Sequence, residues 1–419
     1  MDRFRTVAHR LVLFGVLIFE LAAPASAAPG DLDSTFASGG VKMIGFGDPA
    51  VAEDVAIQED GKIVMAGYAV VGGDDDFAVA RLKPGGTRDS TFSGDGRRTT
   101  PMGTGHGVGL AVATQPDGRI VVVGYASNAT GEAFAIGRFK PNGSLDPTFS
   151  SDGKKLVDFG GGYDEANDVA IQPDGRIVVV GYDDDGVGTD DSFAIARLRP
   201  NGSLDDTFSG DGKKTTQFGM GVDIANAVAV QEDGDIVVAG YRDGGLRMAV
   251  ARYTPNGHMD STFGTGGLVS TGIGSGADLA EAVAIQDDGR IVIAGATDNG
   301  TDMDFAVIRL RRRGARDNDF DGDGAKATDL GTGNETAYGV GISDDGKIVV
   351  SGSASPDPEM GVVRYLPDGS EDPTFGVGGI VTNPFGDGRD LAIQSDGKVV
   401  VVGSTGGATD DFLVVRYEA

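Results

Sequence analysis

The eleven residues QPDGRIVVVGY occur verbatim at 115–125 and again at 172–182, and five looser copies are spread around the chain. Repetition of this kind constrains a fold more than any single motif, because one short unit cannot bury its own apolar face and must stack on its neighbours. Three markers each recur seven times. The first is an Asp-Gly pair between two apolar runs, at Asp60, Asp117, Asp174, Asp233, Asp288, Asp345 and Asp396. The second is an aromatic residue or Met followed by small apolar residues and Arg, from FAVARL at Phe77 to FLVVRY at Phe412. The third is LDSTF at Leu32, with its relatives RDSTF, LDPTF, LDDTF, MDSTF, RDNDF and EDPTF.

Alternation, β-branched content and turn residues divide each unit into four short strands. In the first full unit strand A is expected at 54–58, strand B at 62–68, strand C at 77–83 and strand D at 96–101. The Asp-Gly pair joins A to B as a hairpin, since Gly, and to a lesser degree Asp, tolerates positive φ. No stretch after residue 28 carries a helical period. Seven such units can form an open stack with special capping units or a closed ring, and no caps are visible. The phase favours the ring: LDSTF and the strand-D-like GGVKMIGF precede the first strand A, while the last unit ends in FLVVRYEA, a strand C without its strand D. The expected fold is an all-β, seven-bladed β-propeller of four-stranded antiparallel blades over 28–419. Residues 40–46 should complete the last blade (388–417) and close the ring.

The linked LDxTF, Q-x-DG and FAVARL markers, together with the PNGSLD stretches, resemble the delta-60 repeat family, exported bacterial proteins whose repeats are held to build a β-propeller. The resemblance covers essentially all of 28–419. It implies the fold and export, and no particular activity. The unit carrying RDNDF and SDDGK departs most from the pattern, which bears on local strand geometry there.

Composition adds limits. With 63 acidic against 35 basic residues the net charge is −28, a surface that repels nucleic acid and anionic membranes and attracts cations or basic partners. The start MDRFRTVAHR, the apolar run LVLFGVLIFELAA and the small-residue stretch PASAAPG read as a secretory signal peptide at 1–27, cleaved after Ala27. Later apolar runs are too short to span a bilayer, so the mature chain is expected to be soluble and exported, secreted or held at the bacterial cell surface; it is also expected to be a monomer. There is no cysteine, so the core must hold the fold without disulfides.

Chemistry is harder to find. The repeated Arg residues (Arg81 to Arg416) and LDxTF aspartates (Asp33 to Asp372) are expected partly buried between blades, each guanidinium satisfied by carbonyls or an Asp. A Ser–His–acid arrangement lacks its histidine: His9 falls in the leader, and His106 and His258 fall on connections at opposite faces. Resident cofactors are not expected, with calcium the one that acidic loops could accept. Its best stretch is DNDFDGDG, where Asp317, Asp319, Asp321 and Asp323 match the first half of an EF-hand-like loop and Thr328 stands where Glu would close it.

Function should lie where the seven copies disagree. The B-to-C loops, from AVVGGDDD to TGGATDD, hold seventeen acidic residues against two basic ones. Two residues before each VAIQ-like run stand Glu53, Leu110, Asn167, Asn226, Glu281, Tyr338 and Arg389. If strand A lines the central channel, these form an asymmetric ring at its mouth, a candidate ligand site. Three readings stay open: a non-enzymatic binding scaffold for an extracellular protein or glycan; a glycan hydrolase or lyase using carboxylates such as Glu53 and Glu281 as acid and base; and a structural cell-surface protein.

Overall fold

Each Asp-Gly pair makes the turn its residue types dictate. Asp60 Oδ1 accepts the Lys62 N–H at 3.2 Å, and Gly61 takes a φ of +77°, a conformation that costs glycine little. The structure, a computed structural model, describes residues 27–129, 131–160, 162–184, 190–242, 246–354, 359–407 and 409–419. The expected leader lies outside them, apart from Ala27. Among the described residues every regular element is a strand, and the 28 strands form seven four-stranded antiparallel sheets. In six blades the chain order A-B-C-D is also the order in the sheet.

The first blade consists of strand A (Ala50–Ile57), strand B (Ile63–Val71), strand C (Asp74–Leu82) and strand D (Arg97–Thr100). Strand A starts four residues earlier than its sequence suggests. Its first three residues, AVA, are small and buried without alternation, and a break in the pleat at Glu53 interrupts the period of two on which the expectation rested.

The seventh blade closes the ring as expected. Its strand A (Asp387–Ile393), strand B (Val399–Ser404) and strand C (Phe412–Tyr417) are completed by Val41–Ile44, paired antiparallel in the register Val41↔Val415 to Ile44↔Phe412. No single centre holds the apolar residues. Seven clusters form instead, each between two adjacent blades; the one across the closure joins Phe36, Ile44 and Phe412 to Ala50 and Ile63.

The LDxTF and FAVARL markers meet at these joints. Every repeated Arg lies against its LDxTF aspartate with N···O distances of 2.6–2.9 Å, from Arg81–Asp89 round to Arg416–Asp33. Each guanidinium also covers the Phe of the same marker, 4.4–5.0 Å from the ring centre. In five blades it further donates to a carbonyl of the next blade's C-to-D turn, as Arg416 Nη1 does to Pro84 O at 2.6 Å. The Thr of the marker turns its N–H and hydroxyl onto the same Asp, as Thr207 does on Asp205. These charges are nearly inaccessible, Arg197 at 4% and Asp205 at 0% exposure, so each depends on the other for its stability in the interior.

Two outcomes follow. Asp205→Ala leaves Arg197 buried without its counter-ion and should cost about 3–5 kcal/mol in urea unfolding; a loss under about 1 kcal/mol would show that the pair does not hold the joint. Removing residues 28–46 takes strand D from the last blade and Asp33 from Arg416. The melting temperature should fall sharply, and an unchanged curve would rule out this closure.

Candidate functional site

Every strand A lines the central channel and every strand A is interrupted by a bulge. In the first blade Ala52 pairs with Gly67 and Asp54 with Ala66, which leaves Glu53 as the extra residue. The same interruption leaves Leu110, Asn167, Asn226, Glu281 and Tyr338 unpaired in the next five blades, and Arg389 with Asp390 in the last. The facing strand B has to make room. A Cβ on Gly181, the glycine of the repeated VVGY phrase, would stand 1.8 Å from the Glu165 carbonyl oxygen, and one on Gly124 would stand 1.9 Å from that of Val108. Such a bulge re-aims the side chain it carries, here into the lumen.

The seven residues singled out by comparing repeats are therefore the seven bulge residues. They lie deeper than expected: Glu53 is fourth of the eight residues of its strand, so the ring sits halfway along the channel and not at its mouth. Glu53, Leu110, Asn167, Asn226, Glu281 and Tyr338 line a cavity of about 280 Å³ to which all seven blades contribute. Polar contacts run round most of the ring. Asn167 Nδ2 donates to Ala225 O (2.9 Å), Asn226 Nδ2 donates to Ala280 O (3.0 Å) and to Glu281 Oε2 (2.8 Å). Arg389 lies 3.7 Å from Glu53 Oε2 and covers the Tyr338 ring at 5.1 Å. Leu110 is the one apolar member.

A second tier of acids, not singled out from the sequence, follows directly after the ring: Asp54, Asp168 and Asp390. Each bridges two blades by accepting backbone N–H groups. Asp54 Oδ2 takes that of Val112 (2.6 Å), Asp168 Oδ2 that of Val228 (2.7 Å) and Asp390 Oδ2 that of Val55 (3.3 Å). The signal was one column away, since the residue after each ring position reads D, A, D, A, A, G, D around the chain.

Burial in a group of like charges raises these carboxyls. Desolvation pushes Glu281 up to about 7, against the pull of Arg389 and the Asn226 amide. It also raises Glu53, with Arg389 opposing, and lifts Asp168 to about 8, helped by the charge of Asp54. Asp54 is held well above the usual range by burial and then by Asp390, with which it shares a hydrogen bond, and burial raises Asp390 in turn. Two carboxyls can share a hydrogen bond only by keeping a proton. The channel thus sets five carboxyls against one guanidinium, and it favours protons, cations or hydroxyl groups over anions.

Other expected sites fare differently. Asp317 is fully buried; its carboxylate is held by Arg309, as each LDxTF aspartate is by the marker Arg of its blade, and also by Arg290 and Arg311. Asp321 faces Lys326, Asp323 caps the Ala325 N–H, and Asp319 is exposed beside Arg290; the four oxygens do not converge. His106 sits 3.2 Å from Asp75, while His258 belongs to a C-to-D turn, where its carbonyl accepts the Thr254 N–H. Parts of the acidic B-to-C loops, 185–189, 243–245 and 355–358 among them, lie outside the described residues. Hollows of about 630 and 670 Å³ lie between blades at the opposite face, but their walls are the repeated Asp-Gly turns and so do not differ in kind from blade to blade.

Comparison with known proteins agrees with this architecture. The model of the family described as "Domain of unknown function (DUF5122) beta-propeller" matches seven segments, 58–92, 115–149, 172–208, 231–263, 286–320, 344–375 and 394–419. No curated protein matches. Among solved structures, a catalytically inactive virginiamycin B lyase from Staphylococcus aureus with quinupristin aligns at a TM-score of 0.52 and 8% identity, over 90% of this chain and 98% of that one. The polysaccharide lyase Uly1 aligns at 0.51 and 12% identity, over 88% and 90%. At such identities the likeness is one of fold.

The raised Glu281 has a signed consequence. Between its ordinary value of 4.5 and about 7 this carboxyl is ionised in the unfolded chain and protonated in the fold, so the unfolded chain binds fewer protons. Its share of stability is complete below that window and is lost as pH rises through it. Glu281→Gln should flatten the fall in melting temperature between pH 4.5 and 7 and be more stable than the parent at pH 8. Parallel curves for the two proteins would refute the assignment.

Proposed function

The chain belongs to the DUF5122 β-propeller family, and from that premise we propose that it is an exported, non-enzymatic binding propeller of the delta-60 repeat type. Its site is the central channel under the variable acidic loops. Its ligand is a small cationic or hydroxyl-rich group, carried on an extracellular protein or glycan. The observation that supports this reading is the asymmetry of the bulge ring. Seven equivalent backbone positions carry Glu, Leu, Asn, Asn, Glu, Tyr and Arg, and their side chains meet in one lumen while the joints between blades stay uniform. One particular ligand requires that kind of asymmetry; a spacer does not. The cavity of about 280 Å³ is at the small end for ligand sites and suits one sugar-sized or amine-bearing group.

Catalysis by Glu53 and Glu281 has less behind it. Arg389 pairs with the first and Asn226 with the second, and the two lyases of similar fold share too little sequence to lend a residue. The test is a thermal-shift and calorimetric screen of metal chlorides, polyamines, and neutral and uronic oligosaccharides, run on the parent, Asn226→Ala and Glu53→Gln. A ligand of the channel raises the parent's melting temperature and loses that effect in both variants. A cationic ligand should bind more tightly at pH 8 than at pH 6, because Glu281 ionises through about 7. Binding that survives both substitutions puts the site elsewhere, and turnover of an oligosaccharide that both variants abolish makes the protein an enzyme.

A further inference from the structure

Outside the channel, the start of strand A presents a second acid position that the repeats use in different ways. Asp164, Asp223, Asp278 and Glu335 stand there in the third to sixth blades, all within 1% of complete burial. Each accepts an N–H from five residues earlier: Phe159, Phe218, Ile273 and Leu330 respectively. This bond ties down the connection that crosses from the outer strand of one blade to the inner strand of the next.

What answers the remaining charge differs between joints. Between the fourth and fifth blades it is a cation: Arg247, first residue of strand C (Arg247–Tyr253), places Nη1 2.8 Å from Asp278 Oδ2. One blade on, the residue in Arg247's place, immediately before Phe305, is Asp304. Asp304 is 7% exposed, and with Asp329 it faces Glu335, so that one carboxylate oxygen from each of the three lies within 4.8 Å of the others. An Arg–Asp pair has been replaced by three acids. The acids Asp329, Asp304 and Asp302 all act on Glu335.

Protein donors satisfy only part of the cluster. Asn299 Nδ2 donates to Asp304 Oδ1 (2.9 Å), the Gly331 N–H to Asp329 Oδ1 (2.9 Å) and the Leu330 N–H to Glu335 Oε2 (3.0 Å). Glu335 Oε1 is buried and has no partner. An unpaired carboxylate oxygen in the interior is costly, and the fold recovers that cost only if a proton or a cation neutralises it. A single cation shared by the three converging oxygens would neutralise them together. Asp164 also keeps an unpartnered oxygen, but among the described residues no third carboxylate joins it.

We propose that Asp304, Asp329 and Glu335 bind one calcium ion that clamps the joint between the fifth and sixth blades. Oxygen-only ligands select a hard cation, and three oxygens that all lie within 4.8 Å of one another can share one coordination sphere with metal–oxygen distances of about 2.3–2.6 Å. Magnesium, which demands near-ideal octahedral geometry and dehydrates reluctantly, suits an all-carboxylate protein site less well. The ion does here what the Arg247 guanidinium does one joint earlier. It ties strand C (Met303–Leu310) and the end of strand D (Ala325–Thr328) of one blade to the start of strand A (Thr336–Ile342) of the next.

The test is calorimetric titration of the metal-stripped chain with calcium chloride, alongside the isosteric variants Glu335→Gln and Asp304→Asn, with Asp319→Asn from the 317–323 run for comparison. The expected result is one equivalent of calcium bound more tightly than magnesium. Each of the first two substitutions should weaken it by about tenfold or more, and Asp319→Asn should leave it unchanged. The proposal is overturned if no binding is seen up to about 10 mM calcium, if Glu335→Gln binds as tightly as the parent, or if Asp319→Asn alone abolishes it. This outcome is independent of the channel's ligand, since the two sites share no residue.

Discussion

A guanidinium buried between two sheets has to be satisfied on every side, and the rest of this structure depends on how that is done. The Asp supplies the counter-charge, the Phe covers the cationic face, and a carbonyl of the neighbouring blade takes a remaining N–H where the reach allows. Because the Arg and Asp belong to one blade and the carbonyl to the next, the group both sets the C-to-D turn and joins two sheets. Burying an ion pair is a poor way to gain raw stability, since apolar residues of similar volume often do as well or better. Its value here is directional. Apolar sheets can slide over one another, whereas a forked donor with fixed partners allows one offset between blades, and seven equal offsets close a ring.

Much of this was legible in the sequence because repetition makes scaffold visible. The four-strand unit, the count of seven, the closing strand and the structural role of the Arg and Asp markers all follow from residues that recur in phase. The extent of strand A did not, because a bulge resets the alternation from which strands are read. The fate of the DNDFDGDG run was also hidden. Its spacing suits an ion, but Arg290 and Arg311 reach Asp317 from other parts of the unit, and long side chains leave no trace in local spacing.

The candidate sites divide on the same principle. The channel ring could be found by asking where copies differ, since its members share one register. The aspartates beside it look like ordinary strand residues until the bulge shows that two consecutive side chains serve the lumen. Asp304, Asp329 and Glu335 come from three segments of two blades. Their meeting is a product of blade packing, and only the contrast with Arg247 and Asp278 makes their uncompensated charge conspicuous. The VVGY glycine links scaffold and site: it recurs because the bulge needs its missing Cβ, and the bulge residue can vary because nothing in the pleat constrains it.

The pairing of Val41 with Val415 carries a consequence for the order of folding. Six blades take all their strands from consecutive sequence, so their contacts are local and each can form as soon as its segment is available. The seventh cannot, because its outer strand precedes the other six blades in the chain and its other three strands follow them. Contacts so distant in sequence carry the largest loop-closure cost and form late. Until then the apolar flank of the first blade, around Ala50 and Ile63, has no partner sheet. A newly made chain therefore passes through a near-complete ring with one open seam, and that interval is when it is most exposed to pairing with another molecule instead of itself.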